Sequence, residues 1–116
     1  MSEAVLEGRT KDYARRIIRL CSALPRGPAA RVLGDQLLRS GTSIGANYRE
    51  AMRSRSKAEF IAKLGDSLKE ASESEYWLEL LSDESFLPAN RLQPLLEETR
   101  EITAMLIASI KTARSR

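Results

Sequence analysis

Histidine is absent from the 116 residues, and cysteine occurs once, as Cys21. Without an imidazole there is no Ser-His-Asp or Cys-His relay, no histidine metal ligand and no side chain whose ordinary pKa sets a charge switch near neutrality. One thiol allows neither a Cys-rich zinc site nor an intrachain disulfide, which suits a reducing compartment. Aromatics make up only 5% of the chain. No apolar run approaches the roughly 18 to 20 residues that cross a bilayer, so no membrane partner is expected. From Met1 to Gly8 no basic region leads into an apolar stretch, so no secretory leader is read and a cytoplasmic location is expected. Glycine-rich phosphate loops and short-period repeats are also missing.

What the chain does carry is helical periodicity, nearly throughout. Val5, Leu6, Ala14, Ile17, Cys21 and Leu24 recur mostly at three- and four-residue steps until Pro25, Gly27 and Pro28 stop them. Pro28 suits the first position of a second helix, where its missing N–H costs nothing. Leu33, Leu37, Ser40, Ile44, Asn47 and Ala51 then form one stripe. Ser56 to Glu59 reads as a capping box opening a third helix, which carries Phe60, Ile61, Leu64, Leu68, Ala71 and Leu78. After a connection from Asp83 to Pro88, a fourth helix repeats Leu92, Leu95, Leu96, Thr99, Ile102, Leu106, Ile110 and Ala113. The spacing predicts a single all-α domain over residues 1–116, an antiparallel up-down-up-down four-helix bundle with helices at about 3–24, 28–53, 57–82 and 90–114.

Several residue groups need an explanation beyond a buried stripe. Helix two holds Gly34, Gly41 and Gly45, each costing on the order of 1 kcal/mol inside a helix, so close approach of a neighbouring helix is expected there. Ser40 and Asn47 fall on its apolar stripe and need partners; with nearby Glu50 they are read as structural polar positions that fix register or association. Catalysis by Asn47 with Glu50 would be the sharper reading, but no nucleophile or metal ligand adjoins them. Tyr76, Trp77, Leu80 and Leu81 make helix three apolar nearly all round, and the surplus face is read as an oligomer interface, with coverage by the Phe86 loop or the chain termini as the alternative. Glu70, Glu73, Glu97, Glu98 and Glu101 lack the histidines that a bundle-core di-metal site uses and are read as solvated, with intrahelical pairs such as Glu59 with Lys63. No catalytic residue, cofactor or metal is expected.

Charge is distributed unevenly. A net of +9 from Arg9 to Lys69 faces a net of −7 from Glu70 to Glu101, so the overall +3 is a cancellation. Antiparallel threading would gather Arg49, Arg53, Arg55, Lys57, Lys111, Arg114 and Arg116 at one end and Glu75, Glu79, Asp83, Glu84, Glu97 and Glu98 at the other. Arg15 and Arg19 continue a four-residue basic stripe from Lys11, with Arg16 beside it. Density of positive charge is what a phosphate backbone recognises, so Arg49, Arg53, Arg55 and Lys57, helped by Arg15, Arg16 and Arg19, are the candidate contacts to RNA or DNA. A solvated surface or the acidic patch of a protein partner would use the same residues, and few aromatics lie nearby to stack bases.

Ser40 to Ala51 (SGTSIGANYREA), Arg55 to Ile61 (RSKAEFI) and Glu75 to Leu81 (EYWLELL) together resemble the small bacterial four-helix-bundle family first associated with intervening sequences in large-subunit ribosomal RNA genes. The similarity runs from about Tyr13 to Thr112, with three ordered motifs. Many members carry Pro where this chain has Gly45 and Gly where it has Ala51. The resemblance implies a ring-forming, pentameric bundle without known enzymatic activity, in which Asn47 and Glu50 are structural or interface positions. At the level of fold it is also similar to the accessory variability determinant of diversity-generating retroelements, a basic pentamer that binds nucleic acid and a reverse transcriptase.

Overall fold

The computed structural model describes residues 3–116, with side chains from Val5 onward. They form α1 (Glu3–Ser22), α2 (Pro28–Met52), α3 (Lys57–Asp83) and α4 (Ala89–Arg114), with no strand among the described residues. Each boundary lies within two residues of the position expected from periodicity. Contacts across the helices fix their directions. Thr10 meets Gly45 while Ile17 meets Gly41, so α1 and α2 are antiparallel. Ser67 Oγ donates to the Ile44 carbonyl and Ser74 Oγ bonds Ser40 Oγ, both at 2.8 Å, which makes α2 and α3 antiparallel. Arg9 reaches Met105 and Tyr13 reaches Thr99, so α1 and α4 are antiparallel, and α3 and α4 must be as well. The bundle measures 47 × 21 × 19 Å.

The buried stripe of α1 runs through Leu6, Thr10, Tyr13, Ile17 and Leu20. Val5 is exposed instead, and Cys21 only half-buried, because the true stripe passes through two residues with polar tips that a purely apolar reading skips. Burial, then the nearby Asp35 carboxylate, pushes the Cys21 thiol up to about 11, so it stays protonated at neutral pH.

On α2 the expected close approach is realised against α1. A Cβ on Gly41 would lie 2.9 Å from both γ carbons of Ile17, and one on Gly45 would lie 3.1 Å from Thr10 Oγ1. Tyr48, not Asn47, takes the buried position on this helix. Asn47 is half-buried and its Nδ2 donates to the Ser43 carbonyl of its own helix at 3.0 Å. Glu50 is exposed and faces Lys63 Nζ at 3.5 Å, so it is not a buried polar residue. Ser40 does lie wholly inside.

Ser56 caps α3 by accepting the Glu59 N–H at 3.0 Å. The return contact differs from a capping box, since the Glu59 carboxylate accepts from the Arg55 N–H at 3.4 Å, and Lys63 pairs with Glu50 rather than Glu59. At the other end Ser85 adopts φ 57°, while the Phe86 N–H reaches the Leu81 carbonyl and the Ser85 N–H that of Ser82. That is a Schellman stop, with the Phe86 side chain folded back onto the core. No helix of the described residues is long and apolar enough to cross a membrane.

Candidate nucleic-acid interface

Much of the acidic stretch is engaged within the bundle. The Arg9 guanidinium grips Glu98 in a two-pronged contact, at 2.5 and 2.9 Å, and touches Glu101 at 3.1 Å. Arg39 binds Glu70 at 2.9 Å and also Glu73. Arg100 binds Glu75 at 2.8 Å and approaches Glu79 at 3.8 Å. Six of the nine carboxylates between Glu70 and Glu101 therefore clamp α1 to α4, α2 to α3 and α3 to α4. Partial burial would raise the Glu73 carboxyl, but hydrogen bonds from Arg39 and the Trp77 indole, with the Arg39 charge, hold it below its usual range. The expected acidic pole is reduced to Asp83, Glu84 and Glu97.

The basic end keeps its charge. Arg53, Arg55, Lys111 and Arg114 are exposed and make no ion pair among the described residues. Lys57 Nζ donates to the Arg116 carbonyl, tying the start of α3 to the end of α4. Arg49 is partly engaged, with its Nε 3.6 Å from a Glu7 oxygen.

Arg55 and Lys57 line one depression where α2 turns into α3, with Arg53 exposed at the end of α2, whereas Arg49 borders α1 beside Glu7 and Lys11. Arg15, Arg16 and Arg19 are not part of the same surface. Arg16 and Arg19 instead border a shallow depression of about 280 Å³ with Asn90, Arg91 and Pro94, where α1 ends and α4 begins. Arg15 is exposed farther down α1. The candidate cations thus do not share one surface: those of the α2–α3 turn lie at one end of a 47 Å bundle, Arg16 and Arg19 near the other, and Arg15 stands exposed on α1 apart from both. The sequence reading also missed Phe60, assigned to the core but half-buried next to Lys57 and Arg55; its spacing of three from Lys57 is the one signal that placed it there.

The surplus apolar face is smaller than expected. Tyr76 is 53% exposed and its ring meets that of Trp77 edge-on, with centroids 5.1 Å apart. Trp77 and Leu80 are half-buried, and the Trp77 indole N–H points to Glu73 at 3.3 Å. Leu81 is fully buried in the chain's own core and cannot contribute to an oligomer interface. Arg39 opposite Glu70 and Glu73 sets the register, and seven residues farther along each helix places the exposed Val32 opposite Leu80.

A protein of unknown function from the S23 ribosomal protein family of Bacteroides thetaiotaomicron has a similar crystal structure, with 41% sequence identity, a TM-score of 0.89 and coverage of 96% of this chain and 99% of that one. None of the curated proteins matches the chain. Residues 6–108 match the family of the 23S rRNA-intervening sequence protein, nearly the whole bundle, and the chain belongs to that family.

Proposed function

We propose that this protein is a non-enzymatic, homo-oligomeric nucleic-acid-binding bundle of the cytoplasm that docks RNA or DNA phosphates on its basic end. The observation that carries the reading is the contrast between carboxylates tied up in ion pairs and cations left outside them: Arg53, Arg55, Lys111 and Arg114 stand exposed at the end where α2 and α4 finish, without ion pairs among the described residues. Assembly through Tyr76 and its neighbours, in the pentamer that the family resemblance implies, would multiply a weak electrostatic contact by the number of copies. Filter binding across a salt series tests it. Replacing Arg53, Arg55 and Lys57 by Gln should weaken binding and flatten the salt slope by about one for each phosphate no longer neutralised, with particle mass unchanged. Absence of any affinity for RNA or DNA at low salt overturns it.

The exposed Tyr76 and Val32 favour a second reading, an assembly or adaptor protein that recruits a protein partner. In that case the Tyr76 face builds the assembly and the charged ends take the partner, so the parent protein binds neither RNA nor DNA at low salt and the triple Gln variant loses partner capture with particle mass unchanged.

A further inference from the structure

Beside these free cations lies a cleft between the end of α2, the first turn of α3 and the last turn of α4. It has two adjoining lobes of about 430 and 300 Å³, which share Met52, Phe60, Ala113 and Arg116. Volumes of this order lie in the range of small-ligand sites, about 300 to 1,000 Å³. Met52 and Phe60 are half-buried, packed against the core on one side and open to the cleft on the other. Arg55, Lys57 and Arg116 stand at its edge, and hydroxyls of Ser54, Ser56, Ser109 and Thr112 line it.

Three features of this surface fit one kind of ligand. An aromatic face bordered by cations offers stacking to a planar ring and attraction to the anion attached to it. Hydroxyls around an apolar floor can serve the donors and acceptors on a base edge, which a run of methylenes would leave unused. The first N–H groups of α3, at Lys57 and Ala58, have no acceptor within the helix, and Lys57 itself lies on the cleft edge, so the helix start there favours an anion. The Glu59 carboxylate, the nearest negative group on that turn, is turned back onto the Arg55 N–H. A duplex presents phosphates but hides its base faces, so it could use the rim and not the floor.

We propose that the cleft seats an unpaired base of single-stranded nucleic acid, with the base against Phe60 and Met52 and its flanking phosphates on Arg55, Lys57 and Arg116. This rests on the reading of the basic end as a nucleic-acid interface and narrows it from any phosphate backbone to single strands.

Fluorescence anisotropy at low salt separates the two claims, using oligoadenylate as RNA and as DNA, an RNA duplex of equal length, and vesicles of phosphatidylglycerol. Phe60→Leu keeps the apolar packing and removes the aromatic face; it should weaken single-strand binding about tenfold and leave the duplex unaffected. Replacing Arg55 and Lys57 by Gln should weaken both. Equal binding of single strands by Phe60→Leu and the parent overturns the cleft while leaving the basic-end reading intact. Absence of binding to any nucleic acid overturns both, and Phe60-dependent binding to vesicles alone assigns the cleft to an anionic amphiphile instead. Photocrosslinking of a thiouridine-containing oligonucleotide to the unmodified protein is independent of how the variants fold. Adducts on Met52, Phe60 or Ala113 support the site, and adducts confined to α1 overturn it.

Discussion

The hydroxyls of Tyr13 on α1 and Thr99 on α4 hydrogen-bond at 2.6 Å, and neither residue is exposed to solvent. Ser74 on α3 is also within hydrogen-bonding reach of Tyr13, and it bonds Ser40 on α2. One hydroxyl from each helix thus meets in a single layer across the core. A buried hydroxyl without a partner costs a few kcal/mol, so sliding any helix by one turn would break this layer as well as the apolar packing. Ser40 is buried and bonded to a neighbouring helix, and Tyr13 is its unforeseen counterpart on α1.

Removal of the Tyr13 hydroxyl gives a first prediction with a pH signature. Thr99 Oγ1 still donates to the Leu95 carbonyl and Ser74 Oγ to that of Glu70, so Tyr13→Phe orphans no partner. Its cost near neutrality should be about 1 kcal/mol, the usual net value of one hydrogen bond. Burial pushes the Tyr13 phenol up to about 12, partly offset by its hydrogen bonding with Thr99 and Ser74. The native state therefore holds this proton after the unfolded chain has lost its own. Stability tied to Tyr13 is intact below about pH 10 and drains away by about 1.4 kcal/mol per pH unit as pH rises toward about 12. Near pH 11 the two proteins should therefore be about equally stable, their difference of about 1 kcal/mol erased. Urea midpoints for both proteins across that range check it; a constant difference would contradict the buried phenol.

Two glycines in helix interiors should respond to alanine in opposite senses. Gly41→Ala drives a methyl into Ile17, which is wholly buried and stiff at its branched β carbon, so α1 and α2 must part. Overpacking of about 1 to 3 kcal/mol outweighs the helix-propensity gain of about 1, for a net loss of up to about 2 kcal/mol. Gly65 on α3 has no atom beyond its own turn of helix within 4 Å of the position its Cβ would take, so Gly65→Ala should gain up to about 1 kcal/mol. Thermal melting of the pair reads both signs at once.

Helix number, order and limits are legible because Pro25, Gly27, Pro28, Ser56 and Pro88 punctuate long periodic segments, and such punctuation acts locally. Burial at the margin of a stripe is not. Asn47 and Tyr48 are adjacent on α2, and which of them turns inward depends on the volume left by three other helices. Leu81 reads as surplus surface because its run is apolar on nearly every side, and only packing shows which members the core absorbs. The cations of the α2–α3 turn are close in sequence, so their lying at one end follows from where the turn falls. Arg16 and Arg19, on the separate helix-one stripe, border a different depression, and net charge along a chain does not reveal which carboxylates long arginines will reach. The ion pairs of Arg9, with partners 89 and 92 residues away, are of that kind.

Tyr76 is the cleaner probe of self-association. Trp77 packs partly against the core and donates to Glu73, so truncating it disturbs the chain's own fold along with any interface. Tyr76 is over half exposed, makes an edge-on contact with Trp77 and has no part in the buried core. An exposed aromatic of this kind costs little to remove from a monomer, whereas its removal from the centre of an interface commonly costs about 2 kcal/mol or more. Tyr76→Ser should therefore leave the melting temperature of the isolated bundle nearly unchanged in dilute solution and shift the assembly toward smaller particles in light scattering. In a closed ring the same aromatic is missing from every subunit interface, so the effect repeats around the ring and dissociation should be steep in protein concentration. Unchanged particle mass across the concentration series would remove this face from the interface.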